Sequence, residues 1–191
     1  MKNVICWVLC IGFQALWGQT SLNKQREANG QSVNSHLDTL PSGELILRQE
    51  IVIHAPLTRV WKAYTDTSDW KKWVTPVVEM DFRTNGYIKT HYNAQSKIGD
   101  EGTIVIHILN YIPMHQITMQ AEIGSYFPTF LRNEEKNLYS IVEFNEINEN
   151  STQVVLYGIG YKNQPQWREL LNFFIKGNEM TLNKLKKFTE N

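Results

Sequence analysis

The chain has 191 residues, of which 42% are hydrophobic and 12% aromatic. That is enough for one domain with a sizeable core and too little for two full domains. Lys plus Arg and Asp plus Glu number 19 each, so no overall field draws the chain to nucleic acid or to an anionic membrane surface, and partners must be recognised by local chemistry.

Residues 1–19 have the layout of a secretory signal peptide, with Lys2, an apolar run over residues 4–17, then Gly18 and Gln19 before a polar stretch. The run is shorter than the roughly 20 apolar residues of a membrane span. Export is therefore expected, with cleavage near Gly18 or Gln19, giving a periplasmic or secreted protein with no stable membrane span. Both cysteines, Cys6 and Cys10, lie in this leader. The mature chain would then hold no disulfide, thiolate zinc site or Cys nucleophile. Residues 20–43 are rich in Ser, Asn, Gln and Thr and read as a flexible linker. The folded domain is placed at residues 44–191.

Leu45, Leu47, Ile51 and Ile53 alternate with Arg48, Glu50 and His54, which predicts a first strand ended by Ala55 and Pro56. Pro56 suits the first turn of a helix carrying Val60, Trp61 and Tyr64 on one side. Thr67 or Ser68 can cap a second short helix, in which Trp70, Trp73 and Val74 recur at helical spacing before Pro76 stops it. The period then changes to two and predicts strands over residues 77–84, 87–93, 102–111, 115–123, 138–147 and 153–161. Asn85 and Gly86 mark a tight hairpin, residues 99–102 a looser turn, Pro113 a break and residues 149–151 a polar reversal. Links this short join antiparallel neighbours. The last segment, residues 165–188, sets Trp167, Leu170, Leu171, Phe174, Leu182, Leu185 and Phe188 at helical spacing. Gly177 in its middle predicts a bend or a close approach.

One strand, two short helices, six antiparallel strands and a long terminal helix is the order of the α+β helix-grip fold, a curved sheet of about seven strands wrapped around the last helix. The stretches Ile53-His54-Ala55-Pro56, Val60-Trp61 and Trp73-Val74-Thr75-Pro76, with Trp70 between them, resemble the opening of START-like SRPBCC proteins related to the activators of heat-shock ATPase. Asp81 to Ile88 and Ile98 to Thr103 resemble the same branch, which also includes polyketide cyclase-like proteins. The resemblance covers residues 51–188 and departs from the pattern at Asn85, where many relatives have Gly; Asn tolerates the same left-handed geometry. It implies a fold shared by lipid carriers, aromatase and cyclase domains, hydrolases and chaperone activators, so it does not choose among those functions.

Strand parity puts Val78, Met80 and Phe82 on one face, Ile104, Ile106 and Ile108 on another such face, and Ile117, Met119 and Ala121 on a third. The expected cavity is bordered by Met80, Tyr92, Ile106, Ile108 and Met119 from the sheet and by Trp167, Leu171 and Phe174 from the helix, with Tyr92 or His115 offering a hydrogen bond. His54, His91, His107 and His115 lack any paired spacing for a metal, and no metal or cofactor is expected. Asp81 and Arg83 read as a surface pair, and Trp70-Lys71-Lys72-Trp73 as a helix that buries Trp and solvates Lys, not as a nucleic-acid surface. No phosphate loop, nucleophile elbow or paired carboxylates mark a catalytic centre, so no catalytic residue is assigned and catalysis is neither required nor excluded. The expected function is binding of an apolar small molecule, lipid-like or aromatic. The alternatives are a cavity enzyme of cyclase, lyase or hydrolase type and a chaperone-associated protein-binding module.

Overall fold

A computed structural model describes residues 33–125 and 127–191. The expected signal peptide and residues 20–32 of the expected linker lie outside the described residues.

The first strand of the domain is β2, Glu44–Ile53, whose inward residues Leu45, Leu47, Gln49, Ile51 and Ile53 are all buried. It is preceded by a strand that the sequence reading missed. Asn34–Thr39 form β1, antiparallel to β2 with Leu37 opposite Leu47, joined through a turn in which Gly43 has φ of 86° and donates to the Leu40 carbonyl at 2.9 Å. This corrects the flexible-linker expectation for residues 34–39. A polar strand needs little apolar content at a sheet edge, because ladder hydrogen bonds on one side and a single inward Leu hold it.

Helix α1, Leu57–Thr65, and helix α2, Thr67–Trp73, follow as expected. The cap of α2 is Asp66, whose carboxylate accepts from the backbone N–H groups of Ser68 and Asp69 at 2.9 and 3.0 Å. Trp70 and Trp73 are buried and donate their indole N–H groups to the carbonyls of Tyr64 and Ala63 at 2.6 and 2.8 Å, while Lys71 and Lys72 stay exposed. Tyr64 packs on both indole rings and on Phe144, which links them through Trp61 to Phe82 and Tyr111 in one aromatic cluster. Each such buried ring contributes about 1.5–3 kcal/mol of burial free energy.

Strands β3 (Val77–Asp81), β4 (Gly86–His91), β5 (Ile104–Ile112), β6 (Gln116–Ala121), β7 (Tyr139–Asn148) and β8 (Ser151–Lys162) complete an antiparallel sheet of eight strands in the order β1-β2-β8-β7-β6-β5-β4-β3. Asp81 and Arg83 pair at 2.7 Å on its exposed side. The link from β6 to β7 carries two elements that periodicity did not show, helix α3 (Thr129–Arg132) and a 3-10 turn (Glu135–Asn137).

Helix α4, Pro165–Glu190, runs unbroken through a buried Gly177 and packs across β2 and α1. Its end is clamped: Lys186 is buried and donates to the Val52 carbonyl at 2.8 Å and to Glu190, whose carboxylate also accepts the His54 N–H at 2.6 Å. Gln49, buried on β2, seats the middle of the helix by donating to the Ile175 carbonyl and accepting from Asn178. The result is a helix-grip fold, an open curved sheet closing on its terminal helix. Among the described residues no helix is long and apolar enough to cross a membrane.

Candidate functional site

The strand registers lay out the concave face in rows. One row runs Tyr111, Ile117, Val142, Leu156, Gln49 from β5 to β2. The next runs Gly86, Ile108, Met119, Ser140, Gly158, Leu47 from β4 to β2, and a third begins Met80, Ile88, Ile106, Ala121 from β3 to β6. Ile88, Ile108, Ile117 and Val142 are fully buried. Burial then fails along the third row: Met80 and Ile106 are half-buried and Ala121 is exposed. Concave-face side chains that a solid core would cover are therefore reached by solvent on β3, β5 and β6, and this stretch is the candidate site.

Small side chains continue this stretch across the sheet. The centre of the second row is Ser140 beside Gly158, so two neighbouring positions of the concave face carry almost no bulk. Tyr161 leans into that space because β8 carries a bulge: Leu47 pairs with Gly158 but Leu45 with Tyr161, so two residues on β2 oppose three on β8. The extra residue brings Tyr161 to the concave side. Gly160 makes the bulge possible, with φ of 93° and the Asn137 carbonyl oxygen only 1.8 Å from where a Cβ would stand. The Tyr161 ring lies over Gly158, its oxygen 3.2 Å from where a Cβ there would be, and packs against Trp167 and Phe174 of α4 with centroids 6.2 and 6.0 Å away. Burial alone pushes its phenol well above the ordinary tyrosine range, and its hydroxyl has no hydrogen-bond partner among the described residues. At neutral pH it is a protonated donor, not a base.

The link between β6 and β7 packs over the N-terminal half of α4. Phe130 packs on Trp167 at 5.3 Å, Phe127 on Phe174 at 6.2 Å, and Leu131 is fully buried. Gln120 ties this strap to the sheet by donating to the carbonyls of Glu135 and Leu138, and Lys162 pairs with Glu134. A separate recess of about 260 Å³ opens at the rim, lined by Ile104, Val105, Ile123, His107, Glu122 and Glu135. Its lining is polar and His107 and Glu122 pair within it at 2.9 Å, so it belongs to the outer rim and not to the apolar concave face.

Of the residues expected from sequence, Met80, Ile106, Ile108 and Met119 stand in adjacent rows of the concave face, and Trp167, Leu171 and Phe174 share the inward side of α4. Tyr92 follows the end of β4 and is half-buried. His115 is not brought to them: it is exposed on the turn between β5 and β6, where its carbonyl accepts from the Phe144 N–H. Sequence reading missed Ser140 and Tyr161, since strand parity places Tyr161 on the other face unless the Gly158-Ile159-Gly160 spacing is read as a bulge. Among the described residues no three His, Cys, Asp or Glu side chains gather to hold a metal.

Solved structures with the same fold include the dimeric Aha1 of Colwellia psychrerythraea, 18% identical with a TM-score of 0.58 over 76% of this chain and 96% of that one. CalU16 of Micromonospora echinospora in solution is 22% identical, with a TM-score of 0.56 over 85% and 76% of the two chains. A conserved Enterococcus faecalis protein of unknown function is 17% identical, with a TM-score of 0.57 over 88% and 83%. No curated protein matches the chain. The family model described as Activator of Hsp90 ATPase homolog 1-like protein matches residues 54–190, which take in both short helices, strands β3–β8 and the terminal helix, and the chain belongs to that family.

Proposed function

We propose that the protein binds an apolar small molecule, lipid-like or aromatic, in the groove between the concave face of β3–β8 and α4, and that it does so outside the cytoplasm. The observation that supports binding is the failure of burial along Met80, Ile106 and Ala121, on the same face that buries Ile88 and Ile108 completely. An apolar surface left wet in this way is stabilised by a ligand that removes it from water, at roughly 25 cal/mol per Å² covered. Equilibrium dialysis against 2-ethylnaphthalene tests it. Saturable uptake near one molecule per chain is expected, and Ala121→Phe, which projects a ring into the mouth, should reduce it at least tenfold. Uptake that never saturates, or that Ala121→Phe leaves untouched, would remove the groove as the site.

A further inference from the structure

We infer that the groove selects an uncharged ligand bearing one hydrogen-bond-accepting oxygen, such as a ketone or ester, which takes the hydroxyl of Tyr161 with Ser140 beside it. The inference rests on the proposed groove binding and adds what its polar end recognises.

Two observations carry it. The first is the Tyr161 hydroxyl, pointing over Gly158 with no partner among the described residues although burial keeps its phenol protonated. The hydroxyl is still reached by solvent, so an apolar ligand that covered it would strip it of water and leave it unpaired at a cost of about 1–3 kcal/mol, which a ligand oxygen removes. Ser140 lies directly opposite Gly158 on β7 and sets a second hydroxyl on the same patch of the concave face. The second observation is the charge of the lining. The three rows and the inward side of α4 offer Tyr, Ser, Gln, Asn, Gly and apolar side chains, and the buried Lys186 is already paired with Glu190 at the far end of the helix. An ionised carboxylate or ammonium moved onto this face would lose its hydration and meet no opposite charge, which excludes it. Shape then accommodates the apolar body along Ile106, Ile108 and Met119, and the hydroxyl pair fixes which end leads.

Three probes of one skeleton separate these statements: 2-acetylnaphthalene, which carries the acceptor, 2-ethylnaphthalene, which lacks it, and 2-naphthoate, which is charged. The native protein should bind the ketone about three- to tenfold more tightly than the hydrocarbon, the range expected of one neutral hydrogen bond, and the carboxylate most weakly. Tyr161→Phe should remove the preference for the ketone over the hydrocarbon, and Ser140→Ala should lower it in part. Equal binding of ketone and hydrocarbon by the native protein, or a preference that survives Tyr161→Phe, overturns the inference and leaves the groove standing. Strongest binding of 2-naphthoate overturns the neutral-ligand argument. Binding of none of the three overturns the groove itself, and the inference with it.

Discussion

A single glycine decides where the polar end of the proposed groove lies. Gly160 adopts a left-handed backbone next to Asn137, and only that geometry turns Tyr161 toward Trp167 and Phe174. Gly160→Ala should therefore cost at least about 1–3 kcal/mol in denaturant unfolding and lower ketone affinity as Tyr161→Phe does; an unchanged stability would show that the strand tolerates a regular register there. Asp66→Ala removes the cap of α2 and should destabilise by about 1 kcal/mol without affecting ligand uptake. The C-terminal clamp makes a prediction about acid. Burial pushes Glu190 upward, but the hydrogen bonds from Lys186 and the His54 N–H outweigh it and hold the carboxyl below its ordinary value, and the bond from Arg48 does the same for Glu50. Groups lowered in this way bind fewer protons folded than unfolded, so their stabilisation is complete above the ordinary glutamate pKa of 4.5 and is lost as pH falls through the lowered values. Glu190→Gln should lower stability at pH 7 by under about 1 kcal/mol, given partial solvent screening, and the two proteins should converge as pH falls through the lowered folded value. A difference that persists below that transition would assign the effect to packing.

At the scale of elements, most of the architecture was legible in alternation and turn chemistry. The inward residues of β2 and β6 repeat every second position, as do those of β5 up to Ile108, and Asn85, in the left-handed region with φ of 60°, marks the hairpin between β3 and β4 as its sequence predicts. Where the signal fails, a physical reason is present. β1 is an edge strand whose single half-buried Leu gives no periodicity, and α3 is a four-residue helix held by tertiary contacts of Phe130 and Leu131, so it carries no repeat to detect. The apolar lining was legible because it follows strand parity. Tyr161 was not, because a bulge resets parity and is visible only through pairing. Ala121→Phe also tests whether the groove is hollow: at an exposed position opposite Ile106 it should change stability by less than about 1 kcal/mol, whereas a loss of about 1–3 kcal/mol would mean the ring had been forced into filled space.

For the whole molecule, the family match begins at residue 54, so the β1–β2 hairpin precedes the matched region while completing the same sheet. Export is tested by intact mass of the protein taken from its native host: loss of about the first 19 residues is expected, and a full-length soluble chain in the cytoplasm would withdraw the proposed location. The position of β1 has a practical consequence. Its strand forms the sheet edge opposite β3 and β4, and Ser35 near its start meets Glu179 on the far flank of the terminal helix. A linker or affinity handle anchored through β1 thus starts from the sheet edge away from the mouth of the proposed groove. One attached after Asn191 hangs instead from the turn where Glu190 holds His54 and Lys186. Immobilisation through β1 is the arrangement expected to leave the proposed groove open on a sensor surface.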